Sequence, residues 1–142
     1  MQLGACFAGL AIENSMLGAA HALANPLTAH YGVVHGQAVG VMLPSVIRYN
    51  GETLGKQYED ILRVPVDLPD YPRPESGAAG LAALVESWVE QAGLATKLSQ
   101  LSINGERLEL LSADAAKQWT GHFNPREVGQ AELSRLYQAA MR

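Results

Sequence analysis

The stretch Gly18-Ala19-Ala20-His21-Ala22-Leu23-Ala24-Asn25-Pro26-Leu27-Thr28-Ala29-His30-Tyr31-Gly32-Val33-Val34-His35-Gly36-Gln37-Ala38-Val39-Gly40-Val41-Met42-Leu43-Pro44 decides how the chain is read. It contains no Asp, Glu, Lys or Arg. A helix lying on a protein surface needs a polar face, and this stretch hardly supplies one. Its alanines, leucines and glycines predict helices covered from several sides. Residues Met16 to about Ala24 read as helix. Pro26 lacks an N–H and constrains the residue before it, so a helix end or a new start is predicted there. Leu27 to Tyr31 add one turn, closed by Gly32. A further helix opens at His35 or Gly36 and runs to about Tyr49. Pro44 kinks it or marks its true start, and Asn50-Gly51 stops it. Gly32, Gly36 and Gly40 recur every four residues, which predicts tight helix packing.

Working outward, Leu3 to about Glu13 is a small-residue helix that Asn14-Ser15 breaks, or whose end caps the next one. Downstream, Thr53 to Arg63 carries Leu54, Tyr58, Ile61 and Leu62 near helical spacing. Residues 64–76 hold Pro65, Pro69, Pro72 and Pro74 and predict an extended surface loop. Ser76 is placed to cap a helix from Gly77 to Ala92, with Leu81, Leu84, Val85 and Trp88 on its apolar face and Gly93 at its end. A turn around Lys97–Leu101, a helical stretch from Asn104 with Leu108, Leu111, Ala115 and Trp119, a loop at Asn124-Pro125 and a helix from Ala131 to Met141 complete the chain. No strand pair or repeat emerges. The 142 residues suit a single all-α domain, a helical bundle.

Charge is unevenly spread. Glu13 and Arg48 are the only charged side chains among the first 50 residues of a chain with 10 Lys and Arg and 14 Asp and Glu. The first third is therefore expected to be buried, by the rest of the chain or by another chain. A net charge of −4 without a basic stripe speaks against nucleic-acid binding. The single Cys6 excludes an internal disulfide and a thiolate metal cluster, and the cytoplasm is the default compartment. Leu3-Gly4-Ala5-Cys6 lacks the basic residue and apolar run of a lipoprotein leader. Glu13, Asn14, Ser15 and His21 interrupt the apolar N-terminal stretch, which argues against a membrane span.

Four histidines remain: His21, His30, His35 and His122. Neutral imidazole is the commonest metal ligand, and an imidazole among Ala, Leu and Gly needs a metal ion, a hydrogen bond or solvent. The 14-residue separation of His21 and His35 is too long for one helix face but suits two helices whose ends converge at a turn. His21 is expected near the end of the first helix and His35 near the start of the second. Taken alone, each is more readily a hydrogen-bonded structural histidine than a ligand. His30 is a possible third ligand, and His122 reads as a surface residue.

The wording of the segment adds to this. Gly18 to Leu27, Tyr31, His35-Gly36-Gln37-Ala38, Met42-Leu43-Pro44 and Val46-Ile47-Arg48-Tyr49-Asn50 resemble the signature of the iron-containing alcohol dehydrogenase family, with its dehydroquinate synthase-like helical domain. Asn124-Pro125-Arg126 before a terminal helix is similar to the family's C-terminal end. The resemblance implies that the chain is the later part of that helical domain, without the family's nucleotide-binding domain. It implies a divalent ion, iron or zinc, held by one aspartate and three histidines, two of which match His21 and His35. It also implies NAD(P)-dependent oxidation of an alcohol, with NAD(P) held by the missing upstream domain. Many members carry a further histidine beside the nicotinamide and substrate where this chain has Asn25, and an amide cannot serve there as a general acid or base near neutral pH.

Two readings follow. In one, the chain is the C-terminal metal-binding portion of such a dehydrogenase, inactive alone, whose partner is the missing N-terminal half. In the other, it is a freestanding non-catalytic helical module with a vestigial metal site. That module would be a homo-oligomer, with two copies in a dimer pooling their His21/His35 pairs.

Overall fold

The computed structural model describes residues 2–63 and 77–142. Every regular element among them is helical. The α-helices are α1 (Gln2–Ser15), α2 (Ala19–Tyr31), α3 (His35–Leu62), α4 (Gly77–Gln91), α5 (Leu108–Ala116) and α6 (Gln130–Ala140), with 3-10 turns at Leu98–Leu101, Gly105–Arg107 and Trp119–Phe123. The all-α reading holds. The proline-rich loop expected at 64–76 and the Ser76 cap lie outside the described residues.

Several boundaries differ from those read in the sequence. Asn14 and Ser15 cap nothing downstream: Asn14 Nδ2 donates back to the Leu10 carbonyl at 2.8 Å and Ser15 Oγ to the Ala11 carbonyl at 2.7 Å. The chain breaks at Met16, in the left-handed region at φ 66°. Helices α1 and α2 then meet at 106°. Helix α2 runs straight through Pro26, and α3 through Pro44, with both rings buried. Each proline gives up one ladder hydrogen bond. Pro44 does not mark the start of α3, which begins at His35. As expected, Gly32 ends α2 in the left-handed region at φ 66°, its N–H reaching the Thr28 carbonyl. Gly93 ends α4 in the same way at φ 69°.

The break predicted at Asn50-Gly51 comes instead at Leu54 (φ −109°, ψ 15°), a kink that divides α3 into two helical segments, the second ending at Leu62. Asn50 is buried and gives its amide to Asn124. Gly51 is required for another reason: a Cβ there would overlap the Cβ of Ala78 on α4. The same helix pair brings Gly40 to Val89, Ile47 to Leu81 and Ala82, and Arg48 to Glu86. Numbers rise along α3 as they fall along α4, so the two pack antiparallel. The close approach occurs at Gly51 and not along Gly32, Gly36 and Gly40. A Cβ at Gly36 would meet open space, and one at Gly40 only ordinary contact with Val89 at 3.6 Å.

The main core is built on α2. Ala19, Ala20, Leu23, Ala24 and Leu27 face Ala38, Val41, Met42 and Val46 of α3, Leu111 and Ala115 of α5, and Leu133, Leu136, Tyr137 and Ala140 of α6, with Leu98 and Ile103 closing one side. Tyr137 is fully buried, and its hydroxyl donates to the Leu23 carbonyl at 2.6 Å. Burial holds its phenol well above the usual range. The charge-poor first third thus divides in two. Helices α2 and the first half of α3 are covered by the chain itself. Helix α1 contains no buried residue and exposes Leu3, Phe7 and Leu10. Among the described residues no single helix is long and apolar enough to cross a membrane.

Candidate metal centre

His21 lies in the first turn of α2 and His35 is the first residue of α3. The sequence reading placed His21 at the end of its helix; it sits at the start. The chain therefore runs about 15 Å along α2 beyond His21 before it returns. Gly32 reverses it, Val34 is extended (φ −56°, ψ 130°), and the His35 ring comes back to His21. The two ring centroids stand 5.4 Å apart with the planes tilted by 46°.

This spacing suits a shared ion. Two imidazoles bound through nitrogen at about 2.1 Å with a tetrahedral ligand angle hold their centroids about 5.3 Å apart. His21 is half-buried and His35 exposed. Burial, and secondarily the nearby His35, lower the pKa of His21, which favours the neutral form that ligates a cation. Among the described residues, neither ring takes a hydrogen bond from, or gives one to, the protein, so the alternative of a structural histidine satisfied by the chain finds no partner. Nor does a third His, Cys, Asp or Glu join them to make a set of three. The residues present therefore fit part of a ligand set.

His30 is drawn elsewhere. Its Nε2 meets Asp114 Oδ2 at 2.7 Å, tying α2 to α5. Asp114 also accepts from Lys117 Nζ at 2.9 Å. The hydrogen bonds from Lys117 and then His30 hold the Asp114 carboxyl below the usual range. His30 is thus hydrogen-bonded to Asp114 and stands apart from the His21–His35 pair. His122 is exposed in the 119–123 turn, as read from the sequence. Asn25, one turn beyond His21, donates from Nδ2 to Gln118 Oε1 at 2.9 Å. Gly121 rests against the Ala22 Cβ at a distance equivalent to 3.7 Å for a Cβ of its own. The 3-10 turn at Trp119–Phe123 therefore packs beside this part of α2. Gln118 and Asp114 carried no signal for these contacts in the sequence, because Asn25 and His30 lie more than 80 residues from them.

Residues 1–141 match the profile described as "Fe-containing alcohol dehydrogenase family, C-terminal". The lactaldehyde reductase of Escherichia coli strain K12 is 33% identical over 141 residues, which are 99% of this chain and 37% of that protein. The NADPH-dependent butanol dehydrogenase of Clostridium saccharobutylicum is 26% identical over 97% of this chain and 36% of its own length. Among solved structures, the alcohol dehydrogenase from Oenococcus oeni superimposes with a TM-score of 0.82 at 22% identity, over 94% of this chain and 35% of that one. The iron-containing alcohol dehydrogenase from Thermococcus thioreducens gives 0.78 at 25% identity, over 94% and 34%. The chain spans about a third of the length of the relatives it matches.

Proposed function

The chain belongs to the Fe-containing alcohol dehydrogenase family, as its C-terminal portion, and from this we propose that it supplies two ligands, His21 and His35, to the divalent iron or zinc ion of an NAD(P)-dependent alcohol dehydrogenase. The observation that carries the proposal is the pair itself. Two imidazoles that hydrogen-bond none of the described residues sit 5.4 Å apart, near the separation one shared ion imposes.

When bound, such an ion supplies Lewis acidity toward an alcohol or carbonyl oxygen. The chain's own contribution is binding and positioning. His21 and His35 hold two coordination positions from two different helices. The packed face of α2 backs His21 and keeps water away from that side. Asn25, one of its amide hydrogens already given to Gln118, orients an oxygen by hydrogen bonding but does not carry a proton near neutral pH. Two imidazoles fall short of the three protein ligands of a catalytic centre, so the chain alone is inactive and its ion is weakly held. An upstream half supplies the remaining ligands and the nicotinamide site.

The test is a Zn2+ titration of the full chain followed by imidazole NMR. The His21 and His35 signals are expected to move together while those of His30 and His122 stay. Either His21→Ala or His35→Ala abolishes the response of the other. Equal movement of all four histidines, or no movement at either member of the pair, refutes the ligand role. Adding the upstream half of a relative such as the lactaldehyde reductase, with metal and nicotinamide supplied, is expected to restore alcohol oxidation. A folded complement without turnover refutes the catalytic part.

A second reading has one observation in its favour. Leu3, Phe7 and Leu10 leave an apolar face on α1, and such a face promotes association. A homo-oligomeric, non-catalytic module would cover it with a second copy. Sedimentation that shows a dimer for the parent chain and a monomer for Phe7→Ser supports this reading over the first.

A further inference from the structure

The side chain of Asn124 stands between the two helices that carry the histidine pair. An asparagine amide offers two acceptor lone pairs and two donor hydrogens, and here all four are used. Asn124 Oδ1 accepts from the Ala19 backbone N–H at 3.3 Å and from Asn50 Nδ2 at 3.1 Å. Asn124 Nδ2 donates to Asn50 Oδ1 at 2.8 Å and to the Arg126 carbonyl at 2.6 Å. An aspartate would lack the donors, and a leucine both functions.

The two ends of this bridge matter differently. Helix α2 has Gly18 at its N-cap and no side-chain cap of its own. Asn124, from the far end of the chain, takes that role for Ala19. The first turn hangs on the same point, since the N–H groups of His21 and Ala22 both reach the Gly18 carbonyl at 3.2 Å. Glycine at 18 makes room: a Cβ would stand 3.1 Å from Asn124 Oδ1. At the other end, Asn50 is buried in α3. The segment after Asn124 is clamped to the same part of α3. Arg126 Nη1 donates to the Tyr49 carbonyl at 2.9 Å, its guanidinium lies 3.9 Å from the Tyr49 ring centroid, and the Tyr49 hydroxyl donates to the Glu127 carbonyl at 2.6 Å.

We infer that Asn124 is a positioning residue for the His21–His35 pair: by capping α2 and gripping α3 through Asn50, it fixes the first turn of α2 relative to α3 and so the distance between the two rings. Its relevance to metal rests on the ligand role proposed above, but the spacing itself does not.

The experiment reads the spacing directly. In the metal-free full chain, an NOE between the His21 and His35 ring protons reports their approach. Asn124→Ala is expected to cut this cross-peak to less than half. Ile103→Ala, a core change away from the bridge, is expected to lower the thermal midpoint while leaving the cross-peak intact. Gly18→Ala, which keeps every Asn124 atom but presses on Oδ1, weakens the cross-peak to a lesser degree. In a Zn2+ titration Asn124→Ala lowers affinity about tenfold, the scale of a lost outer-shell support. A folded Asn124→Ala with an undiminished cross-peak overturns the inference. If that variant does not fold, an unchanged cross-peak in Gly18→Ala overturns it instead. A parent chain in which Zn2+ moves neither histidine removes the ligand role, while the NOE comparison still decides the role of Asn124.

Discussion

Replacing Gly51 with alanine separates two opposed accounts of that residue. If Gly51 were an ordinary exposed helix position, alanine would stabilise α3 by about 1 kcal/mol through helix propensity. In the structure Gly51 is inside α3, and its new Cβ would overlap the Cβ of Ala78. Neither atom is the end of a flexible side chain, so relief requires α3 and α4 to move apart. Overpacking of this kind costs about 1–3 kcal/mol, and an overlap between two Cβ atoms, each fixed to its helix backbone, belongs to the upper part of that range. Subtracting the propensity gain leaves a net loss of about 1–2 kcal/mol. For a chain of this length that lowers the thermal midpoint by roughly 3–6 °C. Urea unfolding followed by circular dichroism measures it, with the slope checked for constancy. The double variant Gly51→Ala/Ala78→Gly returns the space and is expected to recover about 1 kcal/mol or more of coupling. A Gly51→Ala protein more stable than its parent, or additivity in the cycle, would refute the close contact between α3 and α4.

Other consequences follow from the same contacts. Tyr137→Phe removes a buried hydroxyl that donates to the Leu23 carbonyl and is expected to cost about 1 kcal/mol by chemical denaturation. Arg48→Met breaks a two-point pair with Glu86 that is well exposed on both sides, and stability should change by less than about 1 kcal/mol. Asp114 has its folded pKa lowered by Lys117 and His30, so its stabilising effect is present above the unfolded value and is lost as pH falls through the lower folded one. The stability gap between the parent and Asp114→Asn is therefore expected to close as the pH falls below about 4. A gap that widens in acid would contradict the assignment. In amide hydrogen exchange, α1 should exchange far faster than α2, because no residue of α1 is buried.

How much of this was legible in the sequence depends on the range of the interaction concerned. Gly32 and Gly93 end helices through their own backbone freedom, a local property, and both ends were read correctly. Pro26, Asn50 and Gly51 were read by the same local rules and misled. The two prolines are carried inside helices by burial of their rings. Asn50 stays helical because its amide meets Asn124, and Gly51 because it faces Ala78; both partners are distant in sequence. The site shows the same division. The His21–His35 pair was legible from its wording, but its geometry was assigned to the wrong end of α2. His30 looked eligible until Asp114, 84 residues away, claimed its Nε2. Asn124 stood in a recognisable Asn-Pro-Arg run, yet nothing local indicates that it caps a helix beginning at residue 19.

The scarcity of charge in the first third goes with two different physical situations. From Gly18 to Asn50 the chain buries the segment against its own later helices, with Leu23, Leu27, Val41 and Met42 almost fully enclosed. Before Gly18 the same composition is left outside, where Leu3 is 66% and Phe7 61% exposed. Helix α1 leaves α2 at 106°, and His21 is in the first turn after that bend. An uncovered apolar helix and an imidazole pair that hydrogen-bonds none of the described residues therefore lie close together along the chain. On the proposed reading a single covering surface supplies both: apolar side chains for Leu3, Phe7 and Leu10, and the missing ligands for His21 and His35. That linkage is itself informative. If one surface does both, Phe7→Ser weakens the upstream half's association and the metal affinity of the reconstituted pair together. A substitution that lowered one and left the other untouched would mean that the cover of α1 and the completion of the centre come from different sources.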